Sequence, residues 1–192
     1  MAIGVLVPVK AFTDAKQRLG GRLDAPGRGR LAREMAAIVL AAAAPHPVWV
    51  VTDDDDVSTW ALDRHARVLR QRRPGLSAAV NDAVDDLAAD GIDRVIVVHA
   101  DLPLAVDLAP VSAPDGVTFV PDRRDDGTNV ASVPTGAGFV FAYGPGSFRR
   151  HVAEAERLAL PVHVVRDDAL GWDVDHPDDL SGLPWTFPVN PR

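Results

Sequence analysis

The sequence contains no cysteine. A disulfide framework, a thiolate metal centre and a cysteine nucleophile are therefore excluded, and chemistry must rest on oxygen and nitrogen groups and the metals they bind. No apolar run approaches the roughly 20 residues needed to span a bilayer. Met1 to Val9 passes straight into a strand pattern without a basic leader or cleavage site, so a cytoplasmic protein without membrane contact is expected. The Gly-x-x-x-x-Gly-Lys-Ser/Thr phosphate loop is missing, and Gly144 and Gly146 lack the third glycine of a dinucleotide fingerprint. Kinase and dehydrogenase chemistry lose ground accordingly. Positive charge is also short: 20 Lys and Arg stand against 27 Asp and Glu, a net charge of −7. A nucleic-acid partner is not expected, since gripping a phosphate backbone calls for a basic surface. Lysine is the scarcest cation, present only as Lys10 and Lys16 in one short segment. In a chain that otherwise writes arginine, that places two compact ammonium groups close together.

What is present is apolar and periodic. A chain of 192 residues, 47% of them apolar, can fill one core and is too short for two ordinary domains. Strand-like runs occur at Ile3 to Val9, Val48 to Thr52, Val95 to Val98, Val117 to Val120 and Val162 to Val165. Helical spacing links Leu31, Met35, Ile38 and Ala42, then Leu76, Val80, Ala83, Val84 and Leu87, then Phe148, Val152, Ala155 and Leu158. The alternation predicts an α/β three-layer sandwich with a mostly parallel sheet and ligands beyond the carboxyl ends of its strands. Pro103 to Gly138, richer in Pro, Gly and Asp, is expected to insert a hairpin or lid over that edge. Asp53 to Asp56 is expected to be a solvated loop or a helix start, and the tail from Ser181 to Arg192, with Trp185 and Phe187, a terminal segment packed on the body.

Four segments carry candidate chemistry. Val7-Pro8-Val9-Lys10 followed by Ala15-Lys16-x-Arg18 places three cations after the first strand, suited to neutralising a triphosphate as pyrophosphate leaves. Asp101, in Ala-Asp-Leu-Pro just past a buried strand, can hold a hard cation or cap the next turn. If Trp172 to Pro177 is extended, Asp173 and Asp175 face the same way and need either a cation between them or one of them protonated; with Asp101 they are candidates for a three-carboxylate magnesium site. Tyr143-Gly144-Pro145-Gly146-Ser147-Phe148 precedes a helical period. It is either an ordinary capped turn or an anion site of free N–H groups with Ser147 as cap, and Thr128 and Asn129 offer a hydroxyl and an amide to complete it.

Taken together these segments resemble the CofC/FbiD family, the 2-phospho-L-lactate or phosphoenolpyruvate guanylyltransferases of coenzyme F-420 biosynthesis. The matching stretches run from Val7 to Leu180 and include Val-Val-Thr-Asp at 50 to 53, Gly75-Leu76, Asp122-Arg123, Gly-Thr-Asn at 127 to 129 and Asp-Val-Asp-x-Pro-x-Asp-Leu at 173 to 180. The resemblance implies a nucleotidyltransferase-type Rossmann-like fold and magnesium held by Asp101, Asp173 and Asp175. It also implies an acceptor phosphate bound by Thr128, Gly144 and Ser147, and GTP as donor, with a downstream pathway enzyme as a partner. Gly75 is expected at the nucleotide. Ser77 stands where the family usually has Asn, and Asn81, one helical turn on, is the candidate replacement. The Arg- and Ala-rich wording resembles bacterial members, for which phosphoenolpyruvate is the implied acceptor. Two other classes share parts of this pattern: an Asp-x-Asp nucleotide-sugar transferase, and a non-catalytic nucleotide-binding module.

Overall fold

The structure is a computed structural model that describes residues 1–112, 115–183 and 185. Seven strands form one sheet in the order β3-β2-β1-β4-β6-β5-β7. These are β1 (Ile3–Pro8), β2 (Val48–Thr52), β3 (Arg67–Arg70), β4 (Arg94–Val98), β5 (Val117–Pro121), β6 (Thr128–Pro134) and β7 (Val162–Val164). All neighbouring strands are parallel except at β6, which runs antiparallel to both β4 and β5. Helices α1 (Ala25–Ala42) and α2 (Asp55–Leu62) cover one face, and α3 (Leu76–Ala89) and α4 (Ser147–Arg157) the other. Side chains alternate across β1 accordingly: Val5 and Val7 join the core under α1 and α2, while Leu6 joins that under α3.

Local chemistry fixes the helix starts. Asp24 accepts the Gly27 N–H at 2.7 Å and begins α1, and Asp54 accepts the Val57 N–H at 2.8 Å and begins α2. The acidic run at 53 to 56 is thus the start of a helix, with Asp55 and Asp56 in its first turn, where the helix dipole favours negative charge. A third, smaller cluster of Leu19, Leu23, Leu31, Met35 and Val174 packs Trp172, Leu180, Leu183 and Trp185 onto the body. That cluster carries Asp173 and Asp175 to the ends of the strands. Pro184 and residues 186–192, including Phe187, lie outside the described residues.

Two strands go beyond the sequence expectations. β3 is a half-exposed edge strand with arginine at both ends, and β6, Thr-Asn-Val-Ala-Ser-Val-Pro, holds few strong strand formers. The stretch 103–138 does contain a hairpin, β5 with β6, but both strands are built into the sheet, and β6 lies against β4. Within that hairpin Val120 pairs with Val130 and Pro121 with Thr128, leaving Asn129 as an extra residue. Such a bulge re-aims the side chains beside it. Thr128 turns toward α4, whereas Asn129 turns to the other face and donates to the Leu170 carbonyl at 3.1 Å.

Gly4 in β1 lies against the indole of Trp49, where an added Cβ would sit 2.7 Å from Cζ3. The ring is buried and rigid, so Gly4→Ala is expected to lower stability by about 1–3 kcal/mol, read as a shifted urea midpoint. An unchanged midpoint would mean that Trp49 has room to move.

Candidate active site

A cleft of about 870 Å³ opens along the carboxyl ends of β1 to β4. Each strand contributes through the residues that follow it: Lys10 and Lys16 after β1, Asp53 after β2, Gln71 after β3, and His99 and Asp101 after β4. Parallel strands end their hydrogen-bonding at this edge, so the loops beyond it are free to carry ligand-binding groups.

Lys16 is the centre of the cleft. Its backbone is left-handed, with φ 54 and ψ 38, an uncommon conformation for a residue with a side chain. Its ammonium donates to Asp101 Oδ2 at 2.5 Å and to Asp175 Oδ1 at 3.1 Å. Arg18, largely exposed, reaches Asp175 at 3.6 Å. Burial by itself would lower the Lys16 pKa, but the Asp101 and Asp175 charges and their hydrogen bonds outweigh it and raise it, so the group is an ammonium. Asp101 is held ionised in the same way: burial opposes its charge, and Lys16 overcomes that cost. Among the described residues Asp173 has no such partner. Burial first, then the neighbouring charges of Asp101 and Asp175, push its carboxyl up to about 6.

These carboxylates suit a hard divalent cation. Asp101 Oδ1 and Asp173 Oδ1 are buried without a hydrogen-bond partner, and the repulsion felt by Asp173 is what a cation would relieve. The donors are all oxygens, as magnesium requires. Among the described residues, however, no three acidic or histidine side chains already converge as a metal-holding group, and the Lys16 ammonium bridges Asp101 and Asp175.

A second cluster sits beside the cleft, around the start of α4. His151 is fully buried, and its Nε2 accepts the Ala142 N–H at 2.9 Å. A neutral imidazole has one donor and one acceptor, so Nδ1 carries the proton and donates to Thr128 Oγ1 at 2.9 Å. The Thr128 hydroxyl is then left with its own proton to give away. Thr128 itself is fully buried. The two clusters meet at His99, whose ring lies 5.2 Å from Tyr143 and whose N–H donates to the Asn129 carbonyl at 2.9 Å.

The turn before α4 differs from the expected array of free donors. Gly146 is the N-cap residue, with φ 72, and Ser147 is the first helical residue and makes no capping bond. Gly146 N–H donates to Asp126 Oδ2 at 3.0 Å, Ser147 N–H to the Gly144 carbonyl, and Phe148 N–H to the Asp126 carbonyl. The Asp126 carboxylate therefore stands where an incoming anion would compete for the same N–H group. Ser77 and Asn81 also differ from expectation. Ser77 Oγ accepts the Tyr143 N–H, while Asn81 accepts from Phe141 N–H and donates to the Phe141 and Ser77 carbonyls. Both side chains are spent on holding segment 141–143 and neither lines the cleft, whereas Gly75, with φ 95 at the start of α3, does.

Three residues of consequence were not singled out from the sequence: His151, Arg123 and Asp179. His151 falls on the apolar face of a helical period and carries no motif of its own. Arg123 and Asp179 lie inside motifs quoted above, Asp122-Arg123 and Asp-x-Pro-x-Asp-Leu, without a chemical role attached.

Burial, then the Arg150 charge, depress His151 from 6.5 to about 4. The unfolded chain therefore binds this proton more readily than the folded one. The stabilisation is complete above pH 6.5 and is lost as pH falls through about 4. It amounts to about 2–4 kcal/mol. His151→Gln, which can keep both hydrogen bonds, should show a shallower decline in melting temperature between neutral pH and pH ~4. Identical declines would remove His151 as a source of acid sensitivity.

The family described as "Guanylyl transferase CofC like" matches residues 3–184. A phosphoenolpyruvate guanylyltransferase from Roseiflexus castenholzii is 37% identical over 95% of this chain and 88% of its own length. One from Sphaerobacter thermophilus is 34% identical over 96% of this chain and 93% of its own. Among solved structures, a nucleotidyl transferase from Methanothermobacter thermautotroptrophicus superposes with a TM-score of 0.61 at 16% identity, covering 93% of this chain and 94% of the other. A protein from Desulfovibrio desulfuricans G20, provisionally described as a nucleotide-diphospho-sugar transferase, gives 0.72 at 19% identity, covering 92% and 84%. The two structures share the fold of this chain, and the near-complete match in sequence establishes that it belongs to the CofC-like guanylyltransferase family.

Proposed function

We propose that this protein transfers GMP from GTP to phosphoenolpyruvate, releasing pyrophosphate, and that 2-phospho-L-lactate is the alternative acceptor of the same site. The observation that carries this reading is the Lys16 ammonium clamped between Asp101 and Asp175 on the cleft wall. A fixed positive charge beside two carboxylates, at the carboxyl ends of the parallel strands, supports a nucleotide triphosphate as the ligand there. The relatives from Roseiflexus castenholzii and Sphaerobacter thermophilus bear the name of this activity, and the resemblance described above links the product to coenzyme F-420 assembly.

The transfer needs one bond made and one broken. An oxygen of the acceptor phosphate attacks the α-phosphorus of GTP, and the bond from that phosphorus to the bridging oxygen of pyrophosphate breaks. The acceptor is already an anion, so no base has to remove a proton. Lys10, Lys16 and Arg18 would neutralise the charge that grows on the leaving pyrophosphate. Asp101, Asp173 and Asp175 would hold magnesium, which supplies charge neutralisation and a template for the phosphates. Lys16, gripped by two carboxylates, has no free lone pair and is not placed to act as a nucleophile. Catalysis is thereby reduced to positioning and charge.

Thr128, Gly144 and Ser147 would bind the acceptor phosphate, and since none of them lines the cleft as it stands and Thr128 and Ser147 are buried, the turn before α4 must open to admit it. The His151 contact leaves the Thr128 hydroxyl as a donor, which suits an anion, and Asp126 must give up the Gly146 N–H as the acceptor enters. Guanine contacts fall to the stretch of the cleft around Gln71 and Gly75, because Ser77 and Asn81 are engaged elsewhere.

The direct test is a matrix of nucleoside triphosphates against candidate acids with magnesium, following pyrophosphate and product mass. Pyrophosphate release with GTP and phosphoenolpyruvate is the expected result, coupled to the next pathway enzyme because the enol product is unstable. Turnover of 2-phospho-L-lactate alone would move the acceptor assignment and leave guanylyl transfer in place.

Asp101→Asn, Asp173→Asn and Asp175→Asn should each reduce magnesium-dependent pyrophosphate release by at least about 100-fold. Near-normal turnover of any one would remove that residue from the site. Ser147→Ala should raise the KM for the acceptor and leave that for GTP within about twofold, a loss of one hydrogen bond to a charged group. Equal effects on both substrates would argue against an acceptor-side role.

A further inference from the structure

Asp179 is almost fully buried, and both of its oxygens are used. Oδ2 accepts the N–H groups of Asp175 at 2.9 Å and His176 at 2.7 Å, and Oδ1 accepts from Arg123 Nη2 at 2.5 Å. The same Arg123 guanidinium lies 3.7 Å over the ring of Trp172, the residue before Asp173. One arginine thus holds the segment 172–176 at both ends, by its face on Trp172 and by its edge through Asp179. Only a planar cation can stack and donate sideways at once. Arg123 belongs to the turn between β5 and β6, which the Asp122 carboxylate stiffens by accepting the N–H groups of Arg124, Asp126 and Gly127. That turn leads directly into Thr128. Neither Arg123 nor Asp179 lines the cleft, so neither is placed to touch the nucleotide.

We propose that Arg123 and Asp179 are positioning residues that lock the Asp173 and Asp175 carboxylates to the β5–β6 turn, setting the metal-binding side of the site in register with the acceptor side. This rests on the assignment of Asp101, Asp173 and Asp175 to magnesium. Charged second partners of this kind fix the direction of ligating groups, and their loss commonly costs 10–100-fold in metal affinity.

The test uses the full-length chain, with manganese as a paramagnetic stand-in for magnesium and a non-hydrolysable GTP analogue present. Free manganese is followed by electron paramagnetic resonance, and exchange of the Asp175 and His176 amides by mass spectrometry. Asp179→Asn and Arg123→Ala should weaken manganese binding by about tenfold or more. Both should speed exchange of those two amides, with circular dichroism unchanged. Affinity for the GTP analogue without metal should stay at the wild-type value. A clamp that merely stabilises the fold would lower the melting temperature and leave manganese affinity of the folded protein unaltered, which would overturn the proposal. Should Asp179→Asn fail to fold, Arg123→Ala decides, since that side chain is partly exposed and Asp179 keeps the Asp175 and His176 N–H groups and the Arg124 guanidinium at 3.7 Å as partners. Asp173→Asn is the control for the underlying reading. Wild-type manganese affinity in that variant would overturn the magnesium assignment and this proposal with it, while faster amide exchange in the other two would still record the clamp.

Discussion

One buried ammonium organises this protein. Lys16 comes from the loop after β1, Asp101 from the loop after β4, and Asp175 from a segment more than seventy residues further on. Three parts of the chain that share no secondary structure are joined at this point. The bridge is favourable because each partner offsets the other's desolvation, and an Asp101 or Asp175 left without it would be a buried or half-buried charge facing a third carboxylate. The left-handed backbone at Lys16 is consistent with a position held by its contacts. The residual negative charge at Asp173 is the part of the balance that the protein's own cations do not meet.

The sheet explains why two clusters stand side by side. β1 to β4 are parallel and end together, which opens the cleft, and β6 enters antiparallel beside β4 and so begins where β4 stops. Thr128 therefore starts its strand at the level of His99. The bulge at Asn129 then turns Thr128 to the α4 face and into contact with His151, while Asn129 ties the opposite face to Leu170. A regular strand at this point would have placed Thr128 on the other side of the sheet.

Much of this was legible in the sequence, and what was not has a physical reason. The buried strands and the amphipathic helices announce themselves by periodicity, because burial on one or two faces dictates apolar spacing. β6 does not, since Asn129, Ala131, Ser132 and Pro134 are poor advertisements for a strand, and it is enclosed by neighbouring strands on both sides. Asp101 is suggested by its place after a strand, and Asp173 and Asp175 by their alternation in an extended stretch, but spacing says nothing of the ammonium that sits between Asp101 and Asp175. Ser77 and Asn81 show the same limit: polar side chains at the head of α3 are consistent with a ligand contact, and only the fold reveals that the backbone of segment 141–143 consumes them. His151 was hidden because a histidine on an apolar helix face gives no signal of the tautomer its partners will impose.

In the proposed transfer the acceptor attacks the nucleotide directly, and charge and position are the protein's whole contribution. Exchange of labelled pyrophosphate into GTP tests it most directly. Direct transfer predicts exchange only when the phosphorylated acceptor, with its product, is present, since no guanylylated protein forms along the way. Exchange of label into GTP by the protein with magnesium and no acceptor would contradict the account, because it would require a covalent intermediate on a side chain.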